Sequence, residues 1–199
     1  MRIAVFLPHI VRAVAGHWLL LANTALAILT LLPLVAPALM AAGQSGLGQL
    51  LYTLYAPLCH QLPERSFFLF GPQLSYTLQE LERALGTGVS LRYIGDSSIG
   101  YKMTVCQRDI AAYAAMWLAG LVFIPLRRRL RPLSWKAFAL LCLPIAVDGF
   151  GQLLGLWDST PWQRVITGAL FGAACIWLAF PYVEGGMKDV LDTTPIPES

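Results

Sequence analysis

Four apolar stretches, each long enough to cross a bilayer, constrain this chain more than any other feature. A membrane-spanning helix takes roughly 20 predominantly apolar residues. The stretches read as helices over about 18–42, 107–126, 137–157 and 162–183. Lipid offers backbone amides no hydrogen bonds, so such spans satisfy their own as helices. Composition agrees: of 199 residues, 57% are hydrophobic and 13% are charged, against about 25% charged in a soluble domain. That balance excludes an ordinary soluble globular protein and excludes disorder. The expected fold class is all-α, a polytopic integral membrane protein with four transmembrane helices. One membrane domain covers 1–199, with an external helical and loop segment, 43–106, between helices 1 and 2.

The first stretch follows Arg2 and Arg12 and contains Pro33 and Pro37. Its apolar core is too long for a signal peptide, so a retained helix, bent at Pro33 or Pro37, is expected. Arg127, Arg128, Arg129, Arg131 and Lys136 crowd the loop 127–136. The positive-inside rule makes that loop cytoplasmic, with both termini, in the inner (plasma) membrane. The bland use of the cluster is a topology signal, and anionic lipid could bind at the same place. In the external segment, Leu47, Leu50, Leu51 and Leu54 recur at helical spacing. Thr77 and Glu80 form a capping box, with Gly86 at the C-cap. Residues 86–100 read as loop, and the polar, proline-containing tail 190–199 reads as mobile. The net charge of +3 comes without a basic stripe, which argues against nucleic acid as a partner. The bilayer is the expected partner, with other membrane subunits or a homodimer as further candidates.

Polar residues inside spans are costly and usually functional. Asp148 lies in the third span, Gln152 is four residues on along the same face, and Arg164 starts the fourth. An unpaired carboxylate there would cost a few kcal/mol, so Asp148 needs a partner such as Arg164 or Arg108, a water-filled cavity or a bound proton; it reads either as one half of a structural clamp or as a proton acceptor. The small-residue pairs Gly151/Gly155 and Gly168/Gly172 suit packing of the third span on the fourth, or a dimer face.

A second cluster holds Cys59, His60, Gln61, Arg65 and Ser66, then Cys106, Arg108, Asp109 and Tyr113. Three chemistries fit it. Zinc or copper could be held by Cys59, His60, Cys106 and Asp109. Cys59 and Cys106 could form a disulfide on an oxidising face. Either thiol could be reactive beside His60 or Arg108. Arg65, Arg108 and Arg164 could also bind a phosphate, carboxylate or lipid head group, or could pair with Glu64, Asp109, Asp148 and Asp158. Cys142 and Cys175 fall in mid-span and suit apolar filling. No histidine lies in any of the four stretches, which argues against bis-histidine haem ligation there.

Three blocks carry a family resemblance. The first is Cys59-His60-Gln61 with Arg65-Ser66-Phe67 and Phe70-Gly71. The second is Cys106-Gln107-Arg108-Asp109 with Tyr113. The third runs from Leu143-Pro144 through Asp148-Gly149 and Gln152 to Ser159-Thr160, Arg164 and Gly168. In this order, from Pro57 to Gly172, they resemble domain-of-unknown-function family 2085, small bacterial and archaeal membrane proteins. The resemblance implies a multi-helix integral membrane protein and no activity. Two functions stay open. One is a metal- or anion-binding site at the external interface, possessed of catalysis or not. The other is an accessory or structural subunit of a larger membrane complex, its polar residues and a Cys59–Cys106 disulfide locking the fold.

Overall fold

A computed structural model describes residues 2–194, with side chains from Pro8 onward. Six helices and a small sheet build it. They are α1 (Arg2–Ala41), α2 (Ser45–Tyr55), β1 (Ser66–Leu69), α3 (Leu78–Leu85), β2 (Gly95–Asp96), β3 (Gly100–Cys106), α4 (Gln107–Leu126), α5 (Trp135–Leu153) and α6 (Pro161–Thr193). Helices α1, α4, α5 and α6 are each long and apolar enough to cross a membrane.

Two of them are longer than the apolar stretches suggest. At 1.5 Å per residue, the 40 residues of α1 and the 33 of α6 reach about 60 and 50 Å, well beyond a hydrocarbon core of about 30 Å. His9, Arg12 and His17 thin out the hydropathy before Trp18, so composition alone places the start too late. The overhangs stay helical because they brace each other. The Arg12 guanidinium donates to the carbonyls of Leu191 and Thr194 at 2.7 Å, where a helix end leaves acceptors unfilled and favours a cation. The Trp18 indole donates to the buried Glu184 carboxylate at 3.0 Å. Residues 190–193 therefore belong to α6 rather than to a tail, and 195–199 lie outside the described residues.

The proline positions explain several long-range contacts. A helical proline cannot donate to the carbonyl four residues earlier. Pro33 thus frees the Leu29 carbonyl, and the Tyr55 hydroxyl of α2 donates to it at 3.2 Å. Helix α1 runs unbroken through Pro33 and Pro37. Pro181 frees the Trp177 carbonyl in the same way, and the Leu133 amide of the α4–α5 loop donates to it at 3.3 Å.

Helix α4 packs along α6 more extensively than any other pair of elements. Glycine makes this possible: a Cβ at Gly168 or Gly172 would sit 2.3 or 2.2 Å from the carbonyl oxygen of Arg108 or Ala112. The Gly168/Gly172 pair therefore receives α4, not α5. Gly151 instead lies under the Trp157 ring, and Gly155 falls beyond α5. That helix ends at Leu153 rather than at 157, because Gly155 adopts a left-handed φ of +68°. The Gly155 amide bonds the Gln152 carbonyl at 3.2 Å and the Leu156 amide bonds Gly151 at 2.9 Å, the Schellman arrangement. At the far end of the bundle, Trp18, Phe123 and Phe180 meet edge-on or tilted around a core with Leu19 and Ile176.

The segment between α1 and α4 is a folded cap. The helices at 45–55 and 78–85 form as the leucine spacing and capping box predict. A three-stranded antiparallel sheet in the order β1-β3-β2 accompanies them and is not apparent in the local pattern. Phe68, Tyr76, Leu81 and Ile99 fill the space between sheet and α3. Strand β3 lies against α1 and leads straight into α4. The second span accordingly starts at Gln107, and the residues before it are extended.

Candidate functional site

The junction of β3 and α4 positions the site. Cys106 is the N-cap of α4 and residues 107–109 open its first turn, so consecutive side chains radiate to different neighbours. Cys106 and Asp109, three apart, face Cys59. Gln107 turns toward α6 and β1. Arg108 turns toward α5.

The Cys59 sulfur, Cys106 sulfur and an Asp109 carboxylate oxygen lie within 4.8 Å of one another. All four cysteines are free thiols in this structure. The Cys106 amide donates to Cys59 Sγ at 3.2 Å, and the Gln61 amide does so at 3.5 Å. Cys59 ionises more readily than an ordinary thiol, because it accepts a hydrogen bond from the Cys106 thiol as well as the Gln61 amide; burial and the Asp109 carboxylate oppose this. Cys106 is pushed up for the complementary reason, since it is the donor to Cys59 and is buried. Of the two thiols, Cys59 is thus the one that gives up its proton more readily. Tyr113, one turn below Asp109, sits beside the same side chains.

Gln61 shapes this corner. Its φ of +54° is unusual for a side chain larger than glycine. Two bonds hold it there: its Nε2 donates to the Tyr52 carbonyl at 2.8 Å, and its own carbonyl accepts Lys102 Nζ at 2.5 Å. Lys102 is almost sealed from solvent, at 1% exposure. Burial pushes its pKa down to about 8, against the pull of the Cys59 and Glu64 charges. The Tyr52 hydroxyl donates to the Lys102 carbonyl.

The arginines have internal partners. Arg108 forms an ion pair with Asp148. The Asp148 carboxylate also accepts the Ser159 hydroxyl, Gln152 Nε2 at 3.3 Å and Trp157 Nε1 at 3.5 Å. Arg164 does not pair with Asp148. It donates to Gln107 Oε1 at 3.1 Å and to the Glu64 carbonyl at 3.3 Å, while Gln107 Nε2 donates to the Ser66 carbonyl at 3.2 Å. Ser66 bonds its own turn through the Leu62 carbonyl at 2.8 Å. Arg65 reaches the Glu64 carboxylate at 4.0 Å. The predicted residues thus divide into a thiol–carboxylate corner and an adjoining charge clamp joining α4, α5 and α6.

His60 is exposed and is not among the three groups that converge. Lys102, Gln107, Ser159 and Trp157 join the two networks without having been singled out. Gln107 and Ser159 stand inside the motif blocks, which is the signal that could have found them. Lys102 is a lysine in an otherwise apolar stretch, and its burial depends on β3 lying against α1, β1 and α2.

The site residues from Lys102 to Arg164 fall within a family match, whereas Cys59 to Ser66 precede it. A family model described as predicted membrane protein (DUF2085) matches residues 97–178, from the end of the cap to the middle of α6. An uncharacterized protein of Methanocaldococcus jannaschii is 31% identical over 135 residues, covering 66% of this chain and 67% of that protein. No solved structure matches the chain.

Proposed function

The chain belongs to the DUF2085 family of predicted membrane proteins, and from that premise we propose that it holds a zinc ion at Cys59, Cys106 and Asp109. The observation that carries this reading is the convergence of three ligand atoms within 4.8 Å. The donor set favours zinc over copper(I): thiolates suit both, but a carboxylate oxygen is a poor ligand for the softer ion. Three protein ligands leave a fourth, tetrahedral position for water, for a substrate or for the exposed His60 on the adjoining turn. Anion binding by the arginines is less well supported, since Arg108 and Arg164 spend donors on Asp148, Gln107 and Glu64. With the Arg127–Lys136 loop on the cytoplasmic side, the zinc corner faces the exterior.

Metal analysis of protein purified without chelator tests the reading. About one zinc per chain is expected, lost in Cys59→Ser and Cys106→Ser and held more weakly in Asp109→Asn. Parent protein free of stoichiometric metal would sink it. The proximity of the thiols also supports a Cys59–Cys106 disulfide as a second reading. Non-reducing peptide mapping distinguishes the two, because a disulfide removes the thiolates that zinc requires.

A further inference from the structure

The opposite end of the bundle carries a different charge arrangement. Arg127, Arg128, Arg129, Arg131 and Lys136 are all exposed. Among the described residues none of them forms a salt bridge with a carboxylate. Their position is at the edge of the hydrocarbon, because α4 ends at Leu126 and α5 begins at Trp135.

The loop that bears them is folded. The amides of Arg129 and Leu130 bond the Leu126 carbonyl at 2.8 and 2.9 Å. Leu130 packs on the Trp18–Phe123–Phe180 core. The Leu133 amide occupies the Trp177 carbonyl freed by Pro181, and Trp177 Nε1 donates back to the Arg131 carbonyl at 3.3 Å. Trp135 is 67% exposed and Trp177 44% exposed, and indoles prefer the head-group level of a bilayer. A topology signal needs only the charges. Clipping the loop to α6 at both Arg131 and Leu133 instead fixes the backbone from which this array of guanidinium groups extends, beside two exposed indole rings.

We infer that this array is a binding site for the phosphodiester head group of an anionic phospholipid. The site is complementary in charge, since among the described residues the cations form no salt bridge with a carboxylate. It is complementary in depth, since the phosphates of a bilayer lie just outside the hydrocarbon that α4 and α5 span. Guanidinium groups also match phosphate oxygens in geometry, through paired N–H donors. Each cation near an anionic surface is worth roughly a fivefold gain in partition.

Titration of the purified protein in nonionic detergent, read by native mass spectrometry, tests this. The probes are phosphatidylglycerol and phosphatidylcholine with identical acyl chains. Wild type is expected to prefer phosphatidylglycerol by about tenfold or more. Replacing Arg127, Arg128, Arg129 and Arg131 together with Gln should abolish the preference, and replacing them with Lys should keep most of it. High salt should also erase the preference in wild type, a measurement that needs no variant to fold. Equal binding of the two lipids by wild type would overturn the inference. So would a preference that survives the Gln replacements or high salt.

Discussion

The two ends of the bundle handle positive charge in opposite ways. At the capped end, Lys102 and Arg164 are buried and Arg108 is partly buried, and each reaches an acceptor within the protein. At the other end, Arg127, Arg128, Arg129 and Arg131 are exposed and form no salt bridge among the described residues. Removing an ion from water costs several kcal/mol unless protein groups replace the solvent. Buried cations therefore become structural, committed to fixed partners. Exposed ones at a membrane edge stay available to water, salt and lipid. The difference separates charge that holds the fold from charge that can answer to the surroundings.

Breaking the clamp gives the largest expected effect. Arg108→Ala leaves the Asp148 carboxylate buried at 8% exposure with only neutral donors. Loss of one partner of a buried pair typically costs about 3–5 kcal/mol. Thermal unfolding in detergent should show a correspondingly large drop. The double variant Arg108→Ala/Asp148→Ala should recover part of it, because no lone charge remains. If the double variant is as unstable as the sum of the two singles, the pair is not coupled and the contrast between the ends fails at its stronger side.

That clamp was half legible in the sequence. A carboxylate in an apolar span demands a partner, and Arg108 was one of the two arginines named for it. The choice between Arg108 and Arg164 depends on rotation about α4 and α6, which Gly168 and Gly172 set by admitting the α4 backbone. Sequence spacing identifies such glycines but not which helix they receive. The sheet was illegible for a different reason. Strand β1 has four residues, and its partner β3 lies some forty positions later across a register irregularity. Short apolar runs such as Ser66–Leu69 carry no period strong enough to read as strand. The corner of Cys59, Cys106 and Asp109 was visible as residue types. His60, next to Cys59 in the motif string, stays exposed outside it, a placement that residue spacing does not carry.

Lys102 sharpens the comparison, because its acceptor is a neutral carbonyl and not a carboxylate. Burial lowers its pKa from 10.5 to about 8. Between those values the unfolded chain binds a proton that the folded chain has released, so stability rises with pH across that window and is flat below it. The expected rise is about 1–2 kcal/mol after allowance for residual water access. Lys102→Met has no such proton to release. Wild type should therefore gain unfolding midpoint relative to Lys102→Met between about pH 8 and 10.5. A difference that is constant with pH would place Lys102 with the solvated charges of the other end.

The smallest effect is expected at the basic loop, and its smallness depends on the solvent. Arg129 is exposed and bonds through its backbone amide, not its guanidinium, among the described contacts. A surface substitution of this kind usually changes stability by no more than about 0.5 kcal/mol. In a nonionic detergent, Arg129→Gln should unfold with the wild type. In micelles containing phosphatidylglycerol, wild type should gain stability by linkage to the bound lipid, and the variant should gain less. The same substitution is thus silent or visible according to what surrounds the loop, whereas Arg108→Ala should be damaging in both media. Should Arg129→Gln destabilise the protein equally in neutral detergent, the loop's charge is part of the fold's own ledger of contacts, and the two ends would not differ in kind.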